Sequence, residues 1–122
     1  MCGIFGIVLS QQNSENIYNL IINGLTQLQN RGYDSCGLSV LNNEKTFDVL
    51  KCASTNEINA IDKLLLLTND NLKTNNSTIG IGHNRWATHG MKTDVNAHPH
   101  LSNDRNFVIV HNGIIENYHI LK

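Results

Sequence analysis

The sequence predicts an α/β or α+β layered domain. Three observations carry that expectation: short apolar runs of strand length, two stretches with apolar residues at helical spacing, and turn-forming residues between them. At 122 residues and 40% hydrophobic content, the chain has the size of one domain and can bury roughly two-thirds of its unfolded surface. No repeat of about 20–50 residues is present, so a solenoid is excluded.

The elements follow in order. Ile4, Phe5, Ile7, Val8 and Leu9, interspersed with Gly3 and Gly6, read as a buried strand. Ile17, Leu20, Ile21, Gly24, Leu25 and Leu28 then recur at helical spacing, with Ser14 as the expected N-cap and Gly32 beyond the end. Residues 37–41 and 47–51 read as two strands joined at Asn42-Asn43, a pair that tolerates a tight hairpin turn. A second helix is expected over 56–67, capped by Ser54 or Thr55, with a polar loop over 68–77. Strands are expected over 78–83 and 107–111. Between them lies a long stretch rich in His, Thr and Asn that holds Trp86 and Pro99, and irregular connections of this length usually carry function. Asn117 is placed to cap a helix over 118–122. One helical turn buries little, so the layered domain reads as unfinished.

Charge and cysteine usage narrow the function. Nine basic residues against ten acidic ones give a net charge of -1, without the clustered Lys and Arg expected of a nucleic-acid binder. The run Leu64 to Leu67 is too short for a bilayer, and the N-terminal apolar stretch lacks a basic flank and breaks off at Ser10. A soluble, cytoplasmic chain with neither nucleic acid nor membrane as partner is expected. Cys2, Cys36 and Cys52 cannot all pair with one another, and none forms a C-x-x-C motif; free thiols in a reducing compartment follow.

Four features could carry chemistry. Loss of Met1 would make Cys2 the N-terminal residue, with a thiol beside an α-amine whose basicity suits neutral pH: nucleophile and base in one residue. Cysteine at position 2 can equally be accidental. In the segment from Gly80 to Gly90, Arg85 offers a planar fork for a carboxylate, Thr88 a hydroxyl, and Trp86 a ring able to close over a small ligand; an Arg on the surface and a Trp anchoring a loop is the plainer reading. Asn112 and Gly113, after His111, could supply an amide and a backbone N–H to an oxyanion, although Asn-Gly is also a common turn. Among the six histidines, His98 and His100 fall on one face of an extended segment near His83 and His89. They lack the ligand spacing of known zinc sites, and loop-anchoring by hydrogen bonds is the expected role.

The run from Met1 to Val8 (Met-Cys-Gly-Ile-Phe-Gly-Ile-Val) resembles the start of class II glutamine amidotransferases, which are N-terminal nucleophile hydrolases. Arg31-Gly-Tyr-Asp-Ser35 narrows the resemblance to the glutaminase domain of the glutamine–fructose-6-phosphate aminotransferase family. The blocks Arg85 to Gly90, Val95 to His100 and Val110 to Asn117 agree with it, in order. The resemblance implies an αββα four-layer sandwich of the N-terminal nucleophile hydrolase type, of which residues 1–122 are about the first half, with no sugar-isomerase domain. It implies that Cys2 forms a glutamyl thioester and releases ammonia, and that Arg85 grips the glutamine α-carboxylate with Thr88 and His89 in the covering loop. Trp86 is then a gate to the ammonia path, and Asn112 and Gly113 the oxyanion donors, with Gly113 also lining the substrate site. Neither metal nor organic cofactor is implied. Glutamine is the implied substrate, and in the family the ammonia makes glucosamine 6-phosphate from fructose 6-phosphate. Small departures stand at Asn84, Gly82 and Cys36, where Thr, Ala and Ala are usual. The family's carboxylate for the glutamine α-amino group falls beyond Lys122. The competing expectation is an inactive, truncated remnant acting as an interaction module, associating with a separately encoded remainder or with a second copy of itself.

Overall fold

In the computed structural model, which describes residues 1–10, 16–70, 76–88 and 90–121, the chain runs through β1 (Gly3–Val8), α1 (Ile17–Gln27), a 3-10 turn (Gln29–Arg31), β2 (Ser35–Leu41), β3 (Phe47–Ala53), α2 (Ala60–Asp70), β4 (Ile79–Arg85), β5 (His100–Leu101), β6 (Val108–Ile109) and α3 (Tyr118–Leu121). The first four strands form an antiparallel sheet in the order β1-β4-β2-β3, and β5 pairs with β6 in a separate ribbon. The architecture is mixed helix and sheet, as expected.

Alternation along the strands decides which face meets the helices. Cys36, Leu38 and Val40 of β2 and Cys52 of β3 point to one side and pack with Ile21, Leu25, Ala60, Ile61 and Leu64 of α1 and α2. Burying one such Leu or Ile side chain contributes about 1.5–3 kcal/mol, so this layer dominates the stability of the sheet. α1 lies close to β4 because β4 presents only glycine there: a Cβ on Gly80 would stand 2.5 Å from Ile21 Cδ1, and one on Gly82 would stand 2.6 Å from Ile21 Cγ2. Gly24 of α1 leaves the matching space for the Phe5 ring.

Several boundaries differ from expectation for identifiable reasons. Asn16 caps α1, its Oδ1 accepting the Tyr18 N–H at 2.9 Å; Ser14 lies outside the described residues. α2 begins at Ala60, not near 56. Thr55 Oγ1 accepts from the N–H groups of Glu57 and Ile58 and closes a turn. The helix is capped by Asn59, whose Oδ1 accepts the Asp62 N–H at 2.9 Å while its Nδ2 donates to Asp62 Oδ2 at 2.6 Å. It continues through Asp70, into the stretch expected to be loop, and residues 71–75 lie outside the described set. The connection between β2 and β3 is no two-residue turn. It spans residues 42–46, organised by Asn42 Oδ1, which accepts from the N–H groups of Glu44 and Thr46 at 3.0 Å, with Lys45 at φ 58°. The strand expected over 107–111 shortens to Val108–Ile109, and its partner His100–Leu101 sits in the stretch taken to be irregular. The helical turn expected after Asn117 forms as α3, with Lys122 outside the described residues.

The segment 91–100 covers part of the other face of the sheet. Lys51 Nζ donates to the carbonyls of Val95 and Ala97 at 3.1 and 2.9 Å, and Asp94 Oδ1 accepts the Ala53 N–H at 2.7 Å. Gly37 makes this approach possible, because its missing side chain leaves room for the His98 carbonyl. No helix among the described residues is long and apolar enough to cross a membrane.

Gly37→Ala is expected to destabilise the fold by about 1–3 kcal/mol. Its Cβ would meet Lys51 Cβ at 2.6 Å and the Leu50 carbonyl at 2.8 Å, besides the His98 carbonyl. Gly6→Ala meets nothing within 4 Å and is expected to leave stability unchanged or raise it by about 0.4–1 kcal/mol. Urea midpoints of the two variants check the contrast.

Candidate active site

β1 and β4 pair with Gly3 opposite Asn84. One step further along, Cys2 and Arg85 therefore leave the same end of the sheet. Gly3 and Phe5 face α1, so the two-residue period turns Cys2 away from the helices, and the same period on β4 sends His83 and Arg85 to that side. The sulfur is anchored there: Cys2 Sγ accepts the Trp86 N–H at 3.2 Å. The thiol and the guanidinium-bearing residue thus stand at one end of the sheet, where β1 and β4 run side by side.

Asn112 arrives from beyond β6. Its Nδ2 donates to the Cys2 carbonyl at 3.0 Å, and its Oδ1 lies 2.8 Å from His83 Nε2. With Nε2–H as donor, the imidazole holds the amide so that its NH2 group points at residue 2. That nitrogen carries two hydrogens, and the Cys2 carbonyl takes one. Gly113 follows with φ 150°, a backbone conformation that favours glycine.

The exit of β4 is held by the block around residue 34. Asp34 accepts the Ala87 N–H through Oδ2 and donates its own N–H to the Arg85 carbonyl at 3.1 Å. Gly32 passes so near that a Cβ there would stand 2.6 Å from the Arg85 carbonyl carbon. The Trp86 ring meets Tyr33 edge-on, with centroids 5.2 Å apart, and remains 40% exposed. Arg85 Nη1 donates to the Met91 carbonyl at 3.2 Å, and Asn96 Nδ2 donates to the same oxygen at 2.9 Å. Gly90 turns the loop with φ 77°. Thr88 is exposed in this loop, Gly113 is exposed beside Asn112, and His89 lies outside the described residues.

The imidazoles of His83, His98 and His100 pack in a row, His83 tilted against His98 and His98 edge-on to His100, with centroids 4.5 and 4.4 Å apart. The expected anchoring of the loop by hydrogen bonds from the His98 and His100 side chains is not seen among the described residues; each ring instead contacts a neighbouring imidazole. His98 Nδ1 is buried with no hydrogen-bond partner among the described residues. Burial lowers all three; the neighbouring imidazoles and Arg85 push His98 further, to about 3, and Lys51 and Arg85 act on His100. Among the described residues, no three His, Cys, Asp or Glu side chains come together in a way that could hold a metal ion. Sequence reasoning missed two supporting residues. His83 orients Asn112, a role signalled by its sharing the Arg85 face of β4, and Asp34 pins the strand exit, for which the sequence carries no local signal.

No protein-family model matches the chain. Curated relatives of a glutamine-dependent aminotransferase class nevertheless match it, and the similarity runs along the whole chain. The chain is 45% identical over 122 residues to the probable glutamine–fructose-6-phosphate aminotransferase [isomerizing] of Acanthamoeba polyphaga mimivirus. It is 43% identical over 122 residues to that of Geobacillus kaustophilus, and 45% identical over 123 residues to that of Cyanidium caldarium. All of this chain is covered in each case, and 18–19% of the relative's length. The resemblance first carried by the motifs is therefore one to glutamine–fructose-6-phosphate aminotransferase in particular.

The histidine stack sets an acid limit. A neutral imidazole whose folded pKa lies below its unfolded value of 6.5 contributes stability that is complete above 6.5 and lost as pH falls toward about 3. The melting temperature is expected to drop across that window, and less steeply in His98→Gln than in the parent. Thermal melts at stepped pH measure the difference.

Proposed function

We propose that residues 1–122 belong to the glutamine-hydrolysing domain of a glutamine–fructose-6-phosphate aminotransferase, within an αββα sandwich of the N-terminal nucleophile hydrolase type. The observation that carries this reading is the meeting of three distant segments at one residue, Cys2: Trp86 donates to its Sγ, and Asn112 donates to its carbonyl. In this reading Met1 is removed and the freed α-amine of Cys2 takes the thiol proton. The thiolate attacks the side-chain amide carbon of glutamine. Negative charge develops on the amide oxygen, where the second N–H of Asn112 and the Gly113 N–H receive it. The amine then returns its proton to the leaving nitrogen, ammonia departs, and water hydrolyses the thioester to glutamate.

Arg85 holds the substrate carboxylate in this scheme, with its fork fixed from behind by the Met91 carbonyl. Trp86, Thr88 and His89 cover the bound amino acid, and Trp86 stands at the way out for ammonia, destined in such an enzyme for fructose 6-phosphate. The neutral histidine stack supports the mechanism by holding Asn112 without placing a cation beside the arginine.

An electrophilic glutamine analogue is expected to label Cys2 alone, and Cys2→Ser to abolish the label; equal labelling of Cys36 or Cys52 overturns the assignment. In the complete enzyme, Asn112→Ala is expected to lower kcat about 10²–10³-fold, whereas Arg85→Lys raises KM by about 10–100-fold. Steady-state glutaminase kinetics separate the two effects. A second reading, an interaction module without activity, is favoured by the exposed apolar side chains of Phe107, Ile114, Tyr118, Ile120 and Leu121. Retention of Met1 in the intact mass, with an unlabelled Cys2, would decide for it.

A further inference from the structure

The two cysteines that the glutaminase reading leaves unused lie side by side. Cys36 on β2 and Cys52 on β3 are direct cross-strand partners, 1% and 0% exposed, and both are free thiols. Opposed residues in an antiparallel pair have Cα atoms about 4.5–5.5 Å apart, within the span a disulfide bridges. Both side chains project from the sheet into the same buried layer against the helices, so the two sulfurs stand on one face.

Cys36 is also reached from outside the core. It lines a cavity of about 300 Å³ whose walls include Gln29, Asn30, Tyr33, Asn59 and Asn84. The wall is rich in carboxamides and carries no formal charge, so it suits a small, neutral, polar molecule. Asn84 is the cross-strand neighbour of Cys36 on β4, and its Oδ1 is buried with no hydrogen-bond partner among the described residues. An acceptor of this kind beside a thiol matches a molecule that donates through O–H. Cys52 Sγ donates to the Ala60 carbonyl at 3.2 Å; the adjoining Cys36 thiol and Lys63 lower the Cys52 pKa against burial and Asp94, and the same pairing together with burial raises that of Cys36.

We propose that Cys36 and Cys52 are a dithiol pair that hydrogen peroxide, admitted through this cavity, closes to a cross-strand disulfide. A thiolate of the pair attacks one peroxide oxygen. The O–O bond breaks, hydroxide leaves and takes up a proton as water, and a sulfenic acid forms. The second thiol gives up its proton and attacks the sulfenic sulfur; the S–S bond forms, the S–O bond breaks, and the departing hydroxide carries that proton away as a second water. Two thiols lose two electrons, and one peroxide becomes two waters. The product pins the edge strand β3 to β2 at the register already present. Nothing in this step depends on Cys2 or on glutamine.

The test uses the reduced 122-residue chain exposed to hydrogen peroxide, quenched with catalase, alkylated in denaturant and digested for mass spectrometry. The expected result is a peptide pair linked through Cys36 and Cys52, lighter by two hydrogen atoms, returned to two alkylated thiols by a thiol reductant. Cys36→Ala and Cys52→Ala are each expected to lose the link and to leave the remaining sulfur trapped by a dimedone-type sulfenic acid probe. Recovery of both residues as alkylated thiols under conditions that oxidise Cys2 overturns the proposal. So does a disulfide that joins Cys2 to either of them, or one that joins two chains.

Discussion

Every feature of the candidate site is hung on the central position of β4. It is paired on both sides, with β1 through Gly3 opposite Asn84 and with β2 through Ser35 opposite Arg85. Its two faces are specialised. Toward the helices it shows Gly80 and Gly82, which let Ile21 and Leu25 rest almost on the backbone, and Asn84, whose Nδ2 reaches the Leu25 carbonyl at 2.7 Å. Toward the other side it shows His83 and Arg85. One strand thus joins the apolar layer to the polar one, and a shift of one residue in its register would exchange them.

The polar side is built with little formal charge. A buried imidazole costs least when neutral, and His83 and His100 add to burial in holding His98 uncharged. If His83 carried a charge, the cluster would face both Lys51 and Arg85 with a further cation, and the packing of the 91–100 segment on the sheet would be strained. The loop geometry follows the same economy: Lys51 spends its ammonium on two backbone carbonyls of that segment, and Asp94 on a backbone N–H and on Lys63 at 3.5 Å. Polar side chains are used here to seat a chain segment that has almost no regular structure of its own.

Much of this was legible in the residues. The periodicity at Ile17, Ile21 and Leu25 marks α1, and the apolar runs over 37–41 and 47–51 around Asn42-Asn43 mark the hairpin, because each depends on local sequence alone. The site was legible through joint motifs: Cys2, Arg85 and Asn112 have plain alternative readings one at a time, and only their combined pattern points to one chemistry. What escaped was set by tertiary contacts. The start of α2 depends on whether Thr55 or Asn59 engages the first free N–H groups of the helix, and both residues are competent caps. The ribbon of β5 and β6 is too short for any pattern to mark it. Asp34 acts through partners far along the chain, where local spacing carries no information, and His83 is marked only by sharing the Arg85 face of β4.

The neighbour order of the main sheet has a consequence for how the molecule comes into being. β1 is made first, yet its hydrogen-bonding partner is β4, while β2 and β3 find each other across a short connection. Contacts so remote in sequence form slowly, since a large loop must close before any of them is gained. The hairpin with its two helices can therefore gather early, and the strand that leads from Cys2 waits at the edge with its backbone unsatisfied until the centre of the sheet has been synthesised.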